Sequence, residues 1–173
     1  MDDHQLAEAT LFELAERVGT ALKTCAMMLV TAESCTGGWV GEAVTAVPGS
    51  SRWFDRGFIT YTNEAKQEML GVSAAALEQH GAVSERTVRE MASGALNNSR
   101  AQVALAISGI AGPGGGTPEK PVGTVCFAWA ARKQPTQSRT QRFSGDREAV
   151  RRQAIKTALE GLSTLLSGLP QKG

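Results

Sequence analysis

The stretch from residue 26 to residue 47 constrains this chain most, because its hydrophobic period changes partway along it. Ala26-Met27-Met28-Leu29-Val30 is a continuous apolar run of strand length, whereas Trp39, Val40, Ala43, Val44 and Val47 recur at helical spacing. Between them lies Thr31-Ala32-Glu33-Ser34-Cys35-Thr36-Gly37-Gly38. A buried strand that turns directly into a helix is a building unit of layered α/β folds. The pattern predicts a strand over 26–30, a helix over 36–47 and two glycines just inside that helix. The first helical N–H groups at such a turn have no partner within the helix and carry the positive end of its dipole. A hydroxyl placed there can cap the helix, hold a phosphate, or act as a nucleophile beside ready donors. Capping by Ser34 or Thr36 is the commonest use of such residues. The adjacent Gly37 and Gly38 weigh toward close backbone approach to a ligand.

The rest of the chain alternates in the same way. Leu11, Leu14, Val18 and Leu22 form one stripe of a helix over 6–22. Pro48-Gly49-Ser50-Ser51 breaks the helix that ends near Val47. The second half of the run Trp53–Tyr61 reads as a strand, Asn63 opens a short helix ending near Gly71, and another turn or two covers 73–79. Ser84 is a good cap for a helix over 85–97. Apolar runs at 103–107 and 122–130 read as interior strands, and a hairpin at 134–137 returns a strand over 138–143. Asp146 caps a last helix whose stripe is Ile155, Leu159, Leu162 and Leu166. This order predicts an α/β fold, a three-layer α/β/α sandwich on a mixed, mostly parallel sheet. One domain over 1–173 is expected, with 1–4 and 168–173 as frayed tails. In such sheets ligands sit beyond the carboxyl ends of parallel strands. Two strands lead into loops rich in glycine and hydroxyls, 31–38 and 108–117, and parallel neighbours would bring both loops to one rim.

Bulk properties narrow the classes. A chain of 173 residues with 42% hydrophobic and 20% charged residues is ordinary for a globular protein. A net charge of +1 gives no overall attraction to nucleic acid or anionic membranes. No apolar run approaches the ~20 residues that span a bilayer. The polar start Met1-Asp2-Asp3-His4 is unlike a secretory signal, so the cytoplasm is the expected compartment. Three cysteines without CxxC spacing, Cys25, Cys35 and Cys126, indicate neither a disulfide framework nor a zinc site.

The loop Ser108–Thr117 carries glycines at 109, 112, 114, 115 and 116, which lets successive N–H groups converge on an anion. It ends in neither Gly-Lys-Ser/Thr nor a G-x-G-x-x-G frame, so it is compatible with phosphate without being diagnostic, and a plain connection is an equal reading. For acyl chemistry Ser34 needs a base. His4 lies in the N-terminal tail and His80 in a His-Gly turn. Lys66 is the other candidate, at a junction that also gathers Tyr61 and Asn63, although composition alone reads it as a solvated helix lysine. Cys35 is the rival nucleophile, with a small core residue as its plainer role. Arg147, Arg151, Arg152 and Lys156 form a basic stretch, partly offset by Asp146 and Glu148, from which one arginine could reach the rim.

Six segments then bear on one family: Thr-Ala-Glu-Ser-Cys-Thr-Gly-Gly (31–38), Gly-Phe-Ile-Thr-Tyr-Thr-Asn-Glu-Ala-Lys (57–66), His-Gly-Ala-Val-Ser-Glu (80–85), Ser-Gly-Ile-Ala-Gly-Pro-Gly-Gly (108–115), Lys-Pro-Val-Gly-Thr-Val (120–125) and Phe-Ser-Gly-Asp-Arg (143–147). In this order they resemble the CinA C-terminal domain family, over about residues 5–165. The resemblance implies hydrolysis of the carboxamide of nicotinamide mononucleotide, with Ser34 as nucleophile, Lys66 as base and Tyr61 orienting or relaying. It implies a small-molecule substrate and no metal or other cofactor; the net charge and the lack of a long apolar run argue against a nucleic-acid or membrane partner, and a homo-oligomer is left open. Thr36, Gly37, Ser108, Gly109, Gly112, Gly114 and Gly115 are the candidates for phosphate and ribose, and Asn63 for the amide. N–H groups at the start of the helix over 36–47 are expected to stabilise the oxyanion. The alternative in a different class is a non-catalytic nucleotide-binding module associated with competence or DNA damage.

Overall fold

A computed structural model describes residues 3–170. In chain order the elements are α1 (Asp3–Cys25), β1 (Leu29–Glu33), α2 (Trp39–Thr45), a 3₁₀ turn (Ser50–Arg52), β2 (Phe54–Ile59), α3 (Asn63–Leu70), α4 (Ala74–His80), α5 (Glu85–Asn97), β3 (Val103–Gly109), β4 (Thr124–Ala131), β5 (Gln137–Arg142) and α6 (Arg147–Ser167). Local chemistry explains most boundaries. Thr62, Ser73, Ser84 and Asp146 cap α3, α4, α5 and α6, each side chain accepting a hydrogen bond from a backbone N–H three residues on.

The sheet order is β2-β1-β3-β4-β5. β1 pairs in parallel with β2 and β3, while β4 runs antiparallel to both β3 and β5. Four strands therefore point one way and β4 alone points back, so the sheet is mixed. Because β1 and β3 are parallel neighbours, with Glu33 beside Ile107, the loops that follow them leave the sheet at one rim, as expected.

The two faces are packed differently. Leu14, Val18 and Leu22 of α1 and Ile155, Leu159 and Leu162 of α6 bury against Leu105, Phe127 and Trp129. On the other face Val88, Met91, Ala92 and Ala95 of α5 bury against Ala104, Ala106, Ala128 and Ala130. Alanine on that face of the strands suits a close helix, and close packing continues behind it. A Cβ on Gly94 of α5 would lie 1.9 Å from the Leu70 carbonyl oxygen, so α5 can meet the end of α3 only with glycine there.

Two local expectations are corrected. The first strand covers 29–33, not 26–30, because Ala26 takes a left-handed turn (φ 52°) that ends the α1 connection. Thr31 and Glu33, polar by sequence, are buried in that strand. Nor does the next helix begin at Thr36 with glycines inside it. Gly37 (φ 60°) and Gly38 (φ 99°) are left-handed and precede α2, with Gly38 as its N-cap, so neither Ser34 nor Thr36 caps it. Of the expected tails, residues 1–2 and 171–173 lie outside the described residues, Asp3 and His4 belong to α1, and Leu169 is buried against the α1–α6 layer.

Candidate active site

The site begins where β1 ends. Ser34 N–H donates to the Ile107 carbonyl (3.0 Å), which ties the turn to β3. The chain then folds through two successive turns, Gly37 N–H to Ser34 O (3.0 Å) and Trp39 N–H to Thr36 O (3.1 Å). Glu33 does what a capping hydroxyl was expected to do. Its carboxylate, in a side chain only 2% exposed, accepts hydrogen bonds from Thr36 Oγ1 (2.7 Å), Val40 N–H (2.9 Å) and Gly41 N–H (3.0 Å). A carboxylate at a helix N-terminus satisfies orphan donors and complements the dipole at once. It also means that the first N–H groups of α2 are already occupied and do not face a ligand. The N–H groups of Thr36 and Gly38, just before the helix, find no acceptor among the described residues.

Lys66 is brought to Ser34 from α3. It is 1% exposed, and its Nζ lies 3.1 Å from Ser34 Oγ and 2.9 Å from the Thr60 carbonyl oxygen. Thr60 N–H in turn donates to Glu33 O (2.9 Å), so the strand that carries Ser34 also fixes the carbonyl that orients the amine. Burial lowers the Lys66 pKa, because it penalises the ammonium. No carboxylate pairs with it among the described residues. The solvated-lysine reading is thereby set aside. Cys35 behaves in the opposite sense: burial pushes its thiol up to about 12, so the thiolate that a cysteine nucleophile needs is not available near neutral pH.

Two arginines one helical turn apart on α6 reach the rim. Arg151 donates from Nε to Cys35 O (3.1 Å) and from Nη2 to Thr36 O (3.0 Å), and its guanidinium lies over the Trp39 ring at 5.2 Å. Arg147 donates from Nη1 to Gly112 O (2.8 Å) and from Nη2 to Tyr61 Oη (2.9 Å), joining the glycine loop to the β2–α3 junction. A cleft of about 550 Å³ lies between them, lined by Gly37, Gly38, Trp39, Glu42, Arg147, Glu148 and Arg151. Its walls do not include Ser34 or Lys66. The contact between Ser34 and Lys66, not the cleft, marks the candidate site.

The expected residues therefore separate into groups. Ser34 and Lys66 are in contact. Tyr61, 57% exposed, bonds Arg147 and neither of those two. Asn63 is exposed at the start of α3. The Thr36 hydroxyl is buried and committed to Glu33, which leaves its N–H as the group it can offer. Ser108 is buried in β3 opposite Cys126, and Gly109 lies so close to the turn that a Cβ there would be 3.0 Å from Cys35 Sγ. Gly112 offers its carbonyl to Arg147, whereas Gly114 and Gly115 are exposed. Glu33 and Arg151 were not singled out by sequence reasoning. Among the described residues no group of three or more His, Cys, Asp or Glu could hold a metal ion, and no helix is long and apolar enough to cross a membrane.

With this geometry in view, comparison with known proteins is decisive for the family. Residues 11–166 match the CinA C-terminal domain. The chain belongs to the CinA C-terminal domain family. Among its relatives in that family, a protein of Escherichia coli (strain K12) named nicotinamide-nucleotide amidohydrolase PncC is 56% identical over 157 residues, covering 91% of this chain and 95% of that one. A putative competence-damage inducible protein of Symbiobacterium thermophilum is 53% identical over 163 residues, 90% of this chain but 38% of its own length. The crystal structure of a competence/damage inducible protein from Agrobacterium tumefaciens superposes with a TM-score of 0.88 at 47% identity, covering 91% of this chain and 96% of that one. The α/β architecture is thus shared with that solved relative.

Proposed function

We propose that this protein hydrolyses the carboxamide of nicotinamide mononucleotide to nicotinic acid mononucleotide and ammonia, using Ser34 as nucleophile and Lys66 as base. The observation that carries the mechanism is the 3.1 Å contact between Lys66 Nζ and Ser34 Oγ, with the lysine buried and its pKa lowered. The amidohydrolase name of relatives that match nearly end to end supports the substrate.

The steps follow from that pair. Neutral Lys66 takes the Ser34 hydroxyl proton as Oγ attacks the carboxamide carbon. The oxyanion that forms is met by N–H donors of the turn, Thr36 above all, since the α2 N–H groups are held by Glu33. Protonated Lys66 then delivers its proton to the departing nitrogen, releasing ammonia and leaving an ester on Ser34. Water attacks that ester with Lys66 again as base, freeing the carboxylate product and restoring the hydroxyl. Arg147, Tyr61 and the glycine loop form the side of the rim on which the charged nucleotide portion is held.

The deciding measurement is ammonia release from nicotinamide mononucleotide by wild type and by Ser34→Ala, without added metal. Turnover by the wild type that vanishes in the variant is expected. Unchanged turnover in Ser34→Ala would remove Ser34 from the role. A wild type that releases no ammonia, while the mononucleotide still raises its melting temperature, would instead favour a pocket kept for binding.

A further inference from the structure

We infer that Arg151 is a positioning residue for catalysis: by holding the Cys35 and Thr36 carbonyls it aims the Thr36 N–H at the carbonyl oxygen of the substrate. This rests on the amide-hydrolysis reading of the Ser34 site. The peptide joining Cys35 and Thr36 is planar and trans, so its C=O and N–H point in opposite directions. Arg151 Nε fixes the C=O end toward α6 at 3.1 Å. The N–H end is therefore turned away from the Arg151 guanidinium, two residues along the chain from Ser34, to which α3 delivers Lys66.

Three further observations separate this from ordinary loop packing. Thr36 is fully buried, yet its N–H has no acceptor among the described residues, and an orphaned buried donor is costly to keep. Its hydroxyl and carbonyl, by contrast, are both satisfied, by Glu33 and by Arg151 with Trp39 N–H. Every polar group of this residue is engaged except the one that an oxyanion would use. Arg151 is itself held in place: Trp39 lies under its guanidinium at 5.2 Å, and the two N–H groups that it offers match two successive carbonyls. A single ammonium cannot reproduce that fork.

The test compares Arg151→Lys and Arg151→Met with wild type in two assays. In ammonia release from the mononucleotide, kcat is expected to fall about 10- to 100-fold in both, less in the lysine variant, with KM within about twofold, because a misplaced donor is lost mainly in the transition state. Added guanidinium chloride at low millimolar concentration should restore part of the loss in Arg151→Met and none in Arg151→Lys, and the pH dependence set by Lys66 should stay where it is. The second assay is the rate at which a fluorophosphonate probe labels Ser34, which needs the same donors but not the natural substrate. It should fall by a similar factor in both variants. A rise in KM at unchanged kcat would overturn the inference by making Arg151 a substrate-gripping residue. So would wild-type rates of labelling in both variants, or no labelling of the wild type, whatever the enzyme does with the mononucleotide. Arg151→Lys keeps the test valid if Arg151→Met does not fold.

Discussion

Removal of the Glu33 carboxylate is the perturbation whose cost can be worked most directly from the structure. Glu33→Ala would leave the Thr36 hydroxyl and the N–H groups of Val40 and Gly41 without their acceptor at a position 2% exposed. Each buried group left unsatisfied costs about 1–3 kcal/mol. The three share one partner and one turn, so their costs do not add fully, and water entering the cavity recovers some. A net loss of about 3–5 kcal/mol is the expectation, larger than the ~1 kcal/mol typical of a lost helix cap because a side-chain hydroxyl is orphaned as well. In a chain of 173 residues 1 kcal/mol moves the melting temperature by roughly 2–4 °C, so Glu33→Ala should melt about 6–20 °C lower. Glu33→Gln keeps one acceptor oxygen for Thr36 and Val40 but sets an amide donor against Gly41 N–H. Its loss should be about half as large. Calorimetry on both variants, with ammonia release measured well below the transition, separates the two. If Glu33→Ala melts within 2 °C of wild type, the three hydrogen bonds do not hold the turn and the reasoning fails. Equal losses in both variants would mean that the charge facing the helix dipole matters and the individual acceptors do not.

Three other outcomes follow, two at the same site and one away from it. Lys66→Met should lower kcat by about 10²–10⁴ if the amine is the base. A buried lysine with a lowered pKa binds fewer protons folded than unfolded, so its contribution to stability improves as pH rises from the folded pKa toward the unfolded one. The stability of Lys66→Met relative to wild type should therefore decline across that window, as denaturant titrations at several pH values would show; a constant difference would contradict the shift. Away from the site, Gly94→Ala should destabilise by more than about 2 kcal/mol in urea unfolding, since its methyl would meet the Leu70 carbonyl at 1.9 Å and α5 would have to move. A change below 0.5 kcal/mol would show that the α3–α5 contact is soft.

Much of the architecture could be read from the chain because local signals agreed with the global fold. Ser84 before a helical pattern, Asp146 before another, and the turn before β5 that includes Gln134 and Pro135 each mark a boundary by chemistry that acts within a few residues. Apolar content does not mark the start of β1, because Ala26 to Met28 connect from α1 and the polar Thr31 and Glu33 lie inside the strand. Ser34 was legible from its setting between strand and helix. Lys66 was legible as a candidate only, since nothing within its own helix reports that it will be buried 32 residues away from Ser34 in sequence. Glu33 and Arg151 were silent for a related reason. A glutamate that ends a strand and an arginine in a basic stretch look like surface residues until tertiary structure supplies the N–H groups and carbonyls that they bind. Which of the three arginines meets the turn depends on how α6 lies on the sheet, and no periodicity encodes that.

The placement of Arg147 and Arg151 on the last helix has a consequence for the order in which the protein is made. The serine, the lysine and the strand that holds the serine turn have all been synthesised by Gly109, whereas the groups that fasten the turn and the glycine loop come 35 to 116 residues after the atoms they hold. A chain still on the ribosome, or one cut short before residue 147, has Ser34 and Lys66 but not the arginines that fasten the turn beside them. Under the proposed mechanism, catalytic competence would be conferred only at the end of synthesis.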